Sequence, residues 1–149
     1  MKHVHKQVLI WFSPAQMYNL VTDVERYPEF LPWCSHAHIK ERDAHGMRAS
    51  LGLAMAGVRQ EFSTRNTHVP DQSVDLELED GPFSKLHGRW TFAPIGDGQA
   101  CKVTLDLRYA FSSRTLSALV GPVFDKVAAT LVDAFVKRAE QVYGPMQAS

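Results

Sequence analysis

Two cysteines in 149 residues, Cys34 and Cys101, cannot build a disulfide framework, and they form no CxxC or zinc-finger spacing. No apolar run approaches the ~18 residues of a membrane span. No secretory-type leader precedes the first strand-like run, so a reducing cytoplasm is the expected setting. Net charge is also missing: 16 Lys and Arg offset 16 Asp and Glu. Overall charge therefore points to no DNA or anionic-membrane partner, although a local patch remains open. GxxxxGK[ST], GxGxxG and GxSxG are absent, which removes the commonest nucleotide and acyl-transfer signatures. The hydrophobic share, 45%, is that of a globular chain, and residues 1–149 read as a single domain.

One long helix stands out. From Pro122 to Tyr143, apolar residues recur at three- and four-residue steps: Val123, Phe124, Val127, Leu131, Phe135, Ala139 and Val142. Asp125, Lys126, Asp133, Lys137, Arg138 and Glu140 fall mainly on the other side, which makes the helix amphipathic. Pro122 suits a first helical turn, Gly144-Pro145 suits the stop, and the length is about 33 Å. Gly121-Pro122 is read as a break from a short lead-in, Arg114 to Val120.

Elsewhere period-two alternation dominates. His3–Trp11 is the first strand, and Ser13-Pro14 then opens a short helix through AQMYNLVTDV. A second short helix or turn, Glu25–Leu31, follows. Six more strands are expected, near Ser35–Glu41, Met47–Met55, Val58–His68, Val74–Glu79, Leu86–Pro94 and Lys102–Phe111. Short turns such as Asp43-Ala44-His45-Gly46 and Gly96-Asp97-Gly98 join them and favour antiparallel pairing. One sheet face alternates polar and the other needs a cover, which the long helix supplies. The resulting fold class is α+β: a seven-stranded antiparallel sheet wrapped around a long C-terminal helix. The gap between the two is a natural cavity.

This layout resembles the helix-grip fold of the START-like SRPBCC superfamily. Within it, Tyr27-Pro28-Glu29-Phe30-Leu31-Pro32-Trp33-Cys34 resembles the YPxFLPWC signature of the coenzyme Q-binding START-domain family, whose bacterial members are also called ribosome-association toxins. Gly81-Pro82-Phe83, Leu86-His87-Gly88-Arg89-Trp90 and Ala134-Phe135-Val136-Lys137-Arg138-Ala139 add to the likeness. It implies non-catalytic binding of ubiquinone or a related isoprenoid lipid, in support of respiratory electron transfer. No covalent or metal cofactor is implied, and membrane contact is at most peripheral, at the inner membrane. The same likeness carries an alternative, a toxin that binds the large ribosomal subunit and blocks subunit association. A third reading is a polyketide cyclase or aromatase, which needs acid–base groups in the cavity.

The expected cavity lining is Leu51, Leu53, Phe62, Leu78, Trp90, Tyr109, Val127 and Leu131, with Trp33 and Phe83 near an entrance. Gln60, Thr64 and Asn66 place polar groups on an otherwise apolar inner face. They are candidates for holding a polar head group, and equally for satisfying one another. His3/His5 and His36/His38 have the i, i+2 spacing of strand ligands, but no carboxylate or cysteine pattern in the sequence completes a site, so no metal is expected. Cys34 has His36 two residues on and no orienting acid, so no catalytic residue is named.

Overall fold

The computed structural model describes residues 1–145. In chain order it contains β1 (Lys2–Ile10), α1 (Pro14–Thr22), a 3₁₀ helix (Val24–Glu29), β2 (Cys34–Asp43), β3 (Gly46–Met55), β4 (Val58–Val69), β5 (Ser73–Asp80), β6 (Phe83–Ile95), β7 (Ala100–Phe111) and α2 (Arg114–Tyr143). The seven strands form one antiparallel sheet in the order β1-β7-β6-β5-β4-β3-β2.

That order explains the early helices. β1 and β2 are consecutive in sequence but occupy opposite edges of the sheet. The chain between them must cross the sheet, and α1 does so against β5, β6 and β7 before the 3₁₀ helix delivers it to β2. Ser13 starts the crossing with a reciprocal cap. Its Oγ accepts the Gln16 N–H at 3.1 Å, and Gln16 Oε1 accepts the Ser13 N–H at 2.8 Å.

The strand alternation sets the faces. Val74, Trp90, Phe92, Val103, Leu105, Leu107 and Tyr109 are buried on the concave side, whereas Glu77 and Arg89 are exposed. Asp106 points outward too, but is half-covered by His3 and His5. Gly81 closes the β5–β6 turn at a φ of 145°, and a Cβ there would lie 2.6 Å from Phe62 Cβ, so only glycine lets this turn close over β4.

The expected break at Gly121-Pro122 does not occur. α2 runs for 30 residues from Arg114 to Tyr143, capped by Ser113, whose Oγ accepts the Leu116 N–H at 3.1 Å. Pro122 withdraws one N–H from the helical ladder, normally at a cost of about 3 kcal/mol. Gly121 presents no Cβ to the proline ring, and Val120, Gly121, Val123 and Phe124 are all buried. Packing on the sheet therefore carries the helix through a locally poor sequence. The stop is as expected: Gly144 has φ 90° and its N–H returns to the Glu140 carbonyl.

Two phenylalanines on α2 organise the core. Phe124 lies edge-on to Tyr109 (4.7 Å between centroids), Phe83 (4.9 Å) and Phe62 (6.3 Å). Phe135, three turns on, lies edge-on to Trp90 (5.1 Å), Phe30 (5.2 Å) and Tyr27 (5.4 Å). Edge-to-face pairs add to the burial of each ring. Phe135 is the only contact of this kind joining β6, α2 and the Tyr27–Phe30 segment among the described residues. Phe135→Ala should lower the unfolding free energy by about 3–5 kcal/mol, measured as a shift in urea midpoint. A loss under about 1 kcal/mol would show that the three elements are held by something else.

Candidate functional site

Between Phe124 and Phe135 the inner side of α2 carries smaller residues: Val127, Ala128 and Leu131. Eleven residues of helix span roughly 16 Å, and the curved sheet does not close on them over that distance. The result is a partly open cavity of about 80 Å³. β3 and β4 supply Leu51, Phe62, Thr64 and Asn66 to its wall; β5, β6 and β7 supply Leu76, Trp90 and Leu107. Leu51, Leu76 and Leu131, expected to be largely buried, are only half-buried because they border empty space rather than other side chains.

Six of the ten residues expected to line the cavity do so: Trp33, Leu51, Phe62, Trp90, Val127 and Leu131. Leu53, Leu78, Phe83 and Tyr109 do not. Leu53 is packed in the main core beside Gln60 on the adjacent strand. Leu78 is half-buried opposite Thr64. Phe83 and Tyr109 belong to the ring cluster around Phe124, which plugs that end of the gap, so Phe83 is no entrance residue. Tyr109 also donates its hydroxyl proton to Asp125, and burial raises its pKa first, with the Asp125 bond and charge adding to it. Residues not named from sequence complete the wall, among them Val24, Tyr27, Ala49 and Ala128. Val24 and Tyr27 come from the crossing segment, whose placement depends on the unpredicted distance between the two sheet edges.

Of the polar trio, Thr64 and Asn66 face the cavity and Gln60 does not. Thr64 Oγ1 donates to Asn66 Oδ1 at 2.7 Å, so the two buried groups satisfy one another in part. That bond uses the Asn66 carbonyl oxygen and leaves its NH₂ as a donor beside the apolar space. Tyr27 brings its ring to the wall but turns its hydroxyl away, to the Val21 carbonyl; burial holds its pKa far above the ordinary value.

Outside the cavity lies a larger open groove of about 520 Å³, running between α2 and the Phe30–Trp33 segment. Trp33, Val127 and Leu131 border both spaces and form the partition between them. Trp33 thus stands at the entrance, as expected. On the groove side, Arg138 ties the segment to α2, with Nη2 2.8 Å from Glu29 Oε1 and its guanidinium 5.0 Å over the Phe30 ring.

The cysteines carry no activated nucleophile. Cys34 is buried, its Sγ–H reaches the His36 carbonyl at 3.4 Å, and burial pushes its thiol up to about 11. Burial likewise pushes the Cys101 thiol up to about 11. The two histidine pairs behave differently. His36 and His38 diverge toward Glu61 (3.6 Å) and Glu25 (3.5 Å). His3 and His5 converge on Asp106 of β7, a third ligating group that sequence spacing within β1 could not reveal. No helix among the described residues is long and apolar enough to cross a membrane.

Comparison with known proteins fits this geometry. Residues 10–136 match the model of a family described as polyketide cyclase / dehydrase and lipid transport. The chain is 44% identical over 142 residues to the ribosome association toxin RatA of Pseudomonas aeruginosa, covering 95% of this chain and 98% of that protein. It is 32% identical over 139 residues to the mitochondrial coenzyme Q-binding protein COQ10 homolog B of Xenopus laevis, covering 91% of this chain and 57% of that one. Among solved structures, an 18 kDa protein of Caulobacter crescentus superposes with a TM-score of 0.74 at 31% identity, over 97% of this chain and all of that one. With a sheet, a gripping helix and a cavity of this form, and a family match over most of its length, the chain belongs to the polyketide cyclase / dehydrase and lipid transport family.

Proposed function

We propose that the protein associates with ribosomes in the cytoplasm, docking on the large subunit and hindering subunit association. The observation that carries this reading is the near full-length similarity to a protein named for ribosome association, 44% over 95% of the chain. The quinone-binding reading draws on a relative of lower identity, 57% of whose length this chain covers. The wall of the cavity argues against a cyclase: it offers neither a carboxylate nor an imidazole among the described residues, so general acid–base chemistry has no partner there.

A ribosome-binding surface needs cations that are not already committed. Several surface cations are already held in ion pairs. Arg48 is held by Glu79 and Glu41, Arg89 by Asp75, and Arg26 by Asp23 and Glu29. On the outward face of β2, β3 and β4, Lys40, Arg59 and Arg65 are exposed and carry no ion pair among the described residues. They are the cations we assign to RNA phosphates. Three such contacts give a salt slope near −2, hence a roughly 4-fold loss of affinity for each doubling of salt. Co-sedimentation with purified large subunits should follow that slope. Reversing all three charges, K40E/R59E/R65E, should weaken binding at least 10-fold at about 0.1 M salt. Binding that ignores both salt and the reversal would remove these cations from the interface.

A second reading concerns the interior and is compatible with the first. The cavity is apolar apart from Thr64 and Asn66, the arrangement that accepts a hydrocarbon chain with one polar group. We infer that it takes the head end of a hydrophobic ligand of the isoprenoid quinone class, with the Asn66 NH₂ donating to a carbonyl. At about 80 Å³ the cavity is too small for a whole quinone. A tail must lie in the outer groove, and Trp33 and Leu131 must part to join the two spaces. Each CH₂ buried there contributes about 0.8 kcal/mol. Leu131→Trp should block the partition: extraction and mass spectrometry of the wild-type protein should recover quinone, and the variant, still folded, should retain at least 10-fold less. Equal retention would move the ligand elsewhere.

A further inference from the structure

The outward face of the sheet brings together three metal-ligating groups that neither reading uses. His3 and His5 are two residues apart on β1, so both imidazoles leave the same side of the strand. The β1–β7 register sets His5 opposite Asp106 and His3 opposite Arg108. Asp106 Oδ1 lies 2.5 Å from His3 Nε2, and Asp106 Oδ2 lies 3.3 Å from His5 Nδ1. Donor atoms of the three residues all fall within 4.8 Å of one another. Ligands on a tetrahedral zinc at ~2.0–2.2 Å sit roughly 3.4 Å apart, so small side-chain rotations bring these donors onto one ion. We propose that His3, His5 and Asp106 form a surface site for a divalent transition metal, with Zn²⁺ as its reference ion.

The donor set decides the class. Two imidazoles and one carboxylate suit zinc, nickel, copper or cobalt, whereas magnesium and calcium call for oxygen ligands throughout. Three protein ligands leave at least one position for water. The side chains are 46%, 48% and 38% exposed, so an ion has direct access. The carboxyl is ready as an anion, since the hydrogen bond to His3 outweighs desolvation and holds its pKa below the usual range.

Two cations oppose the site and set its strength. Arg89 pairs with Asp106 across the β6–β7 ladder, but its guanidinium is engaged by both oxygens of Asp75, at 2.6 and 3.2 Å. Arg108 is freer, with Nε 3.9 Å from Asp106 Oδ1, and must yield that oxygen. Their charge sets the affinity below that of a closed structural zinc site. Because its ligands come from the edge strand β1 and its neighbour β7, the ion clamps the first strand to the sheet, and binding resists its fraying.

The test uses the full chain without a histidine tag, stripped by a chelator and titrated with Zn²⁺ near pH 7.5 by calorimetry. One Zn²⁺ per chain should bind, and the imidazole NMR signals of His3 and His5 should shift together. His3→Gln, His5→Gln and Asp106→Asn should each weaken binding at least 10-fold, while His36→Gln/His38→Gln should leave it unchanged. No saturable uptake below millimolar Zn²⁺, or uptake that His3→Gln and Asp106→Asn do not alter, overturns the site.

Discussion

The position of Phe135 is the contact on which the rest of the structure depends. Its ring meets Trp90 from β6 and Tyr27 and Phe30 from the crossing segment, all edge-on within 5.4 Å. Without it the dense ring contacts between α2, β6 and the Tyr27–Phe30 segment would be lost, leaving smaller buried residues such as Val127, Ala128 and Val132 to hold that part of the helix to the sheet. Arg138, one turn further along α2, reinforces the same junction from outside through Glu29 and Phe30. The exposed pair itself contributes little; its value lies in covering Phe30.

The cavity follows from the same constraint. Two large rings three turns apart hold the helix off the sheet, and the residues between them are too small to fill the gap. Close packing on either side means the space cannot collapse without moving a ring. Apolar emptiness of this kind loses dispersion contacts, and the fold tolerates it because the ring clusters at both ends are dense. The two proposed roles therefore use opposite sides of the sheet. The apolar space is bordered by Trp33, Val127 and Leu131, whereas Lys40, Arg59 and Arg65, which make no ion pair among the described residues, lie on the opposite side of the sheet.

Most of the fold was legible from periodicity. Val74, Leu76 and Leu78 against Asp75, Glu77 and Glu79 announce a half-buried strand, and Ser13-Pro14 announces the cap of α1. Pro122 misled because a local rule met a tertiary one: burial of Val120 to Phe124 overrides the missing N–H. Leu53, Leu78 and Tyr109 share the inward parity of the cavity residues, and Phe83 is turned inward by the bulge that precedes Lys85, but an inward position assigns a face, not a neighbour. Which inward residues meet α2 and which meet open space depends on sheet curvature, and that has no local signature. Asp106 is the sharpest case. It stands 101 residues from His5, and only the pairing of the first strand with the last brings them together.

Whether the protein docks on the large ribosomal subunit is read out by a sucrose gradient. Purified protein is added to ribosomes under conditions where intact particles and free subunits are both resolved. Intact particles should diminish, free subunits accumulate, and the protein travel with the large subunit. An unchanged profile, with the protein remaining at the top of the gradient, would contradict it.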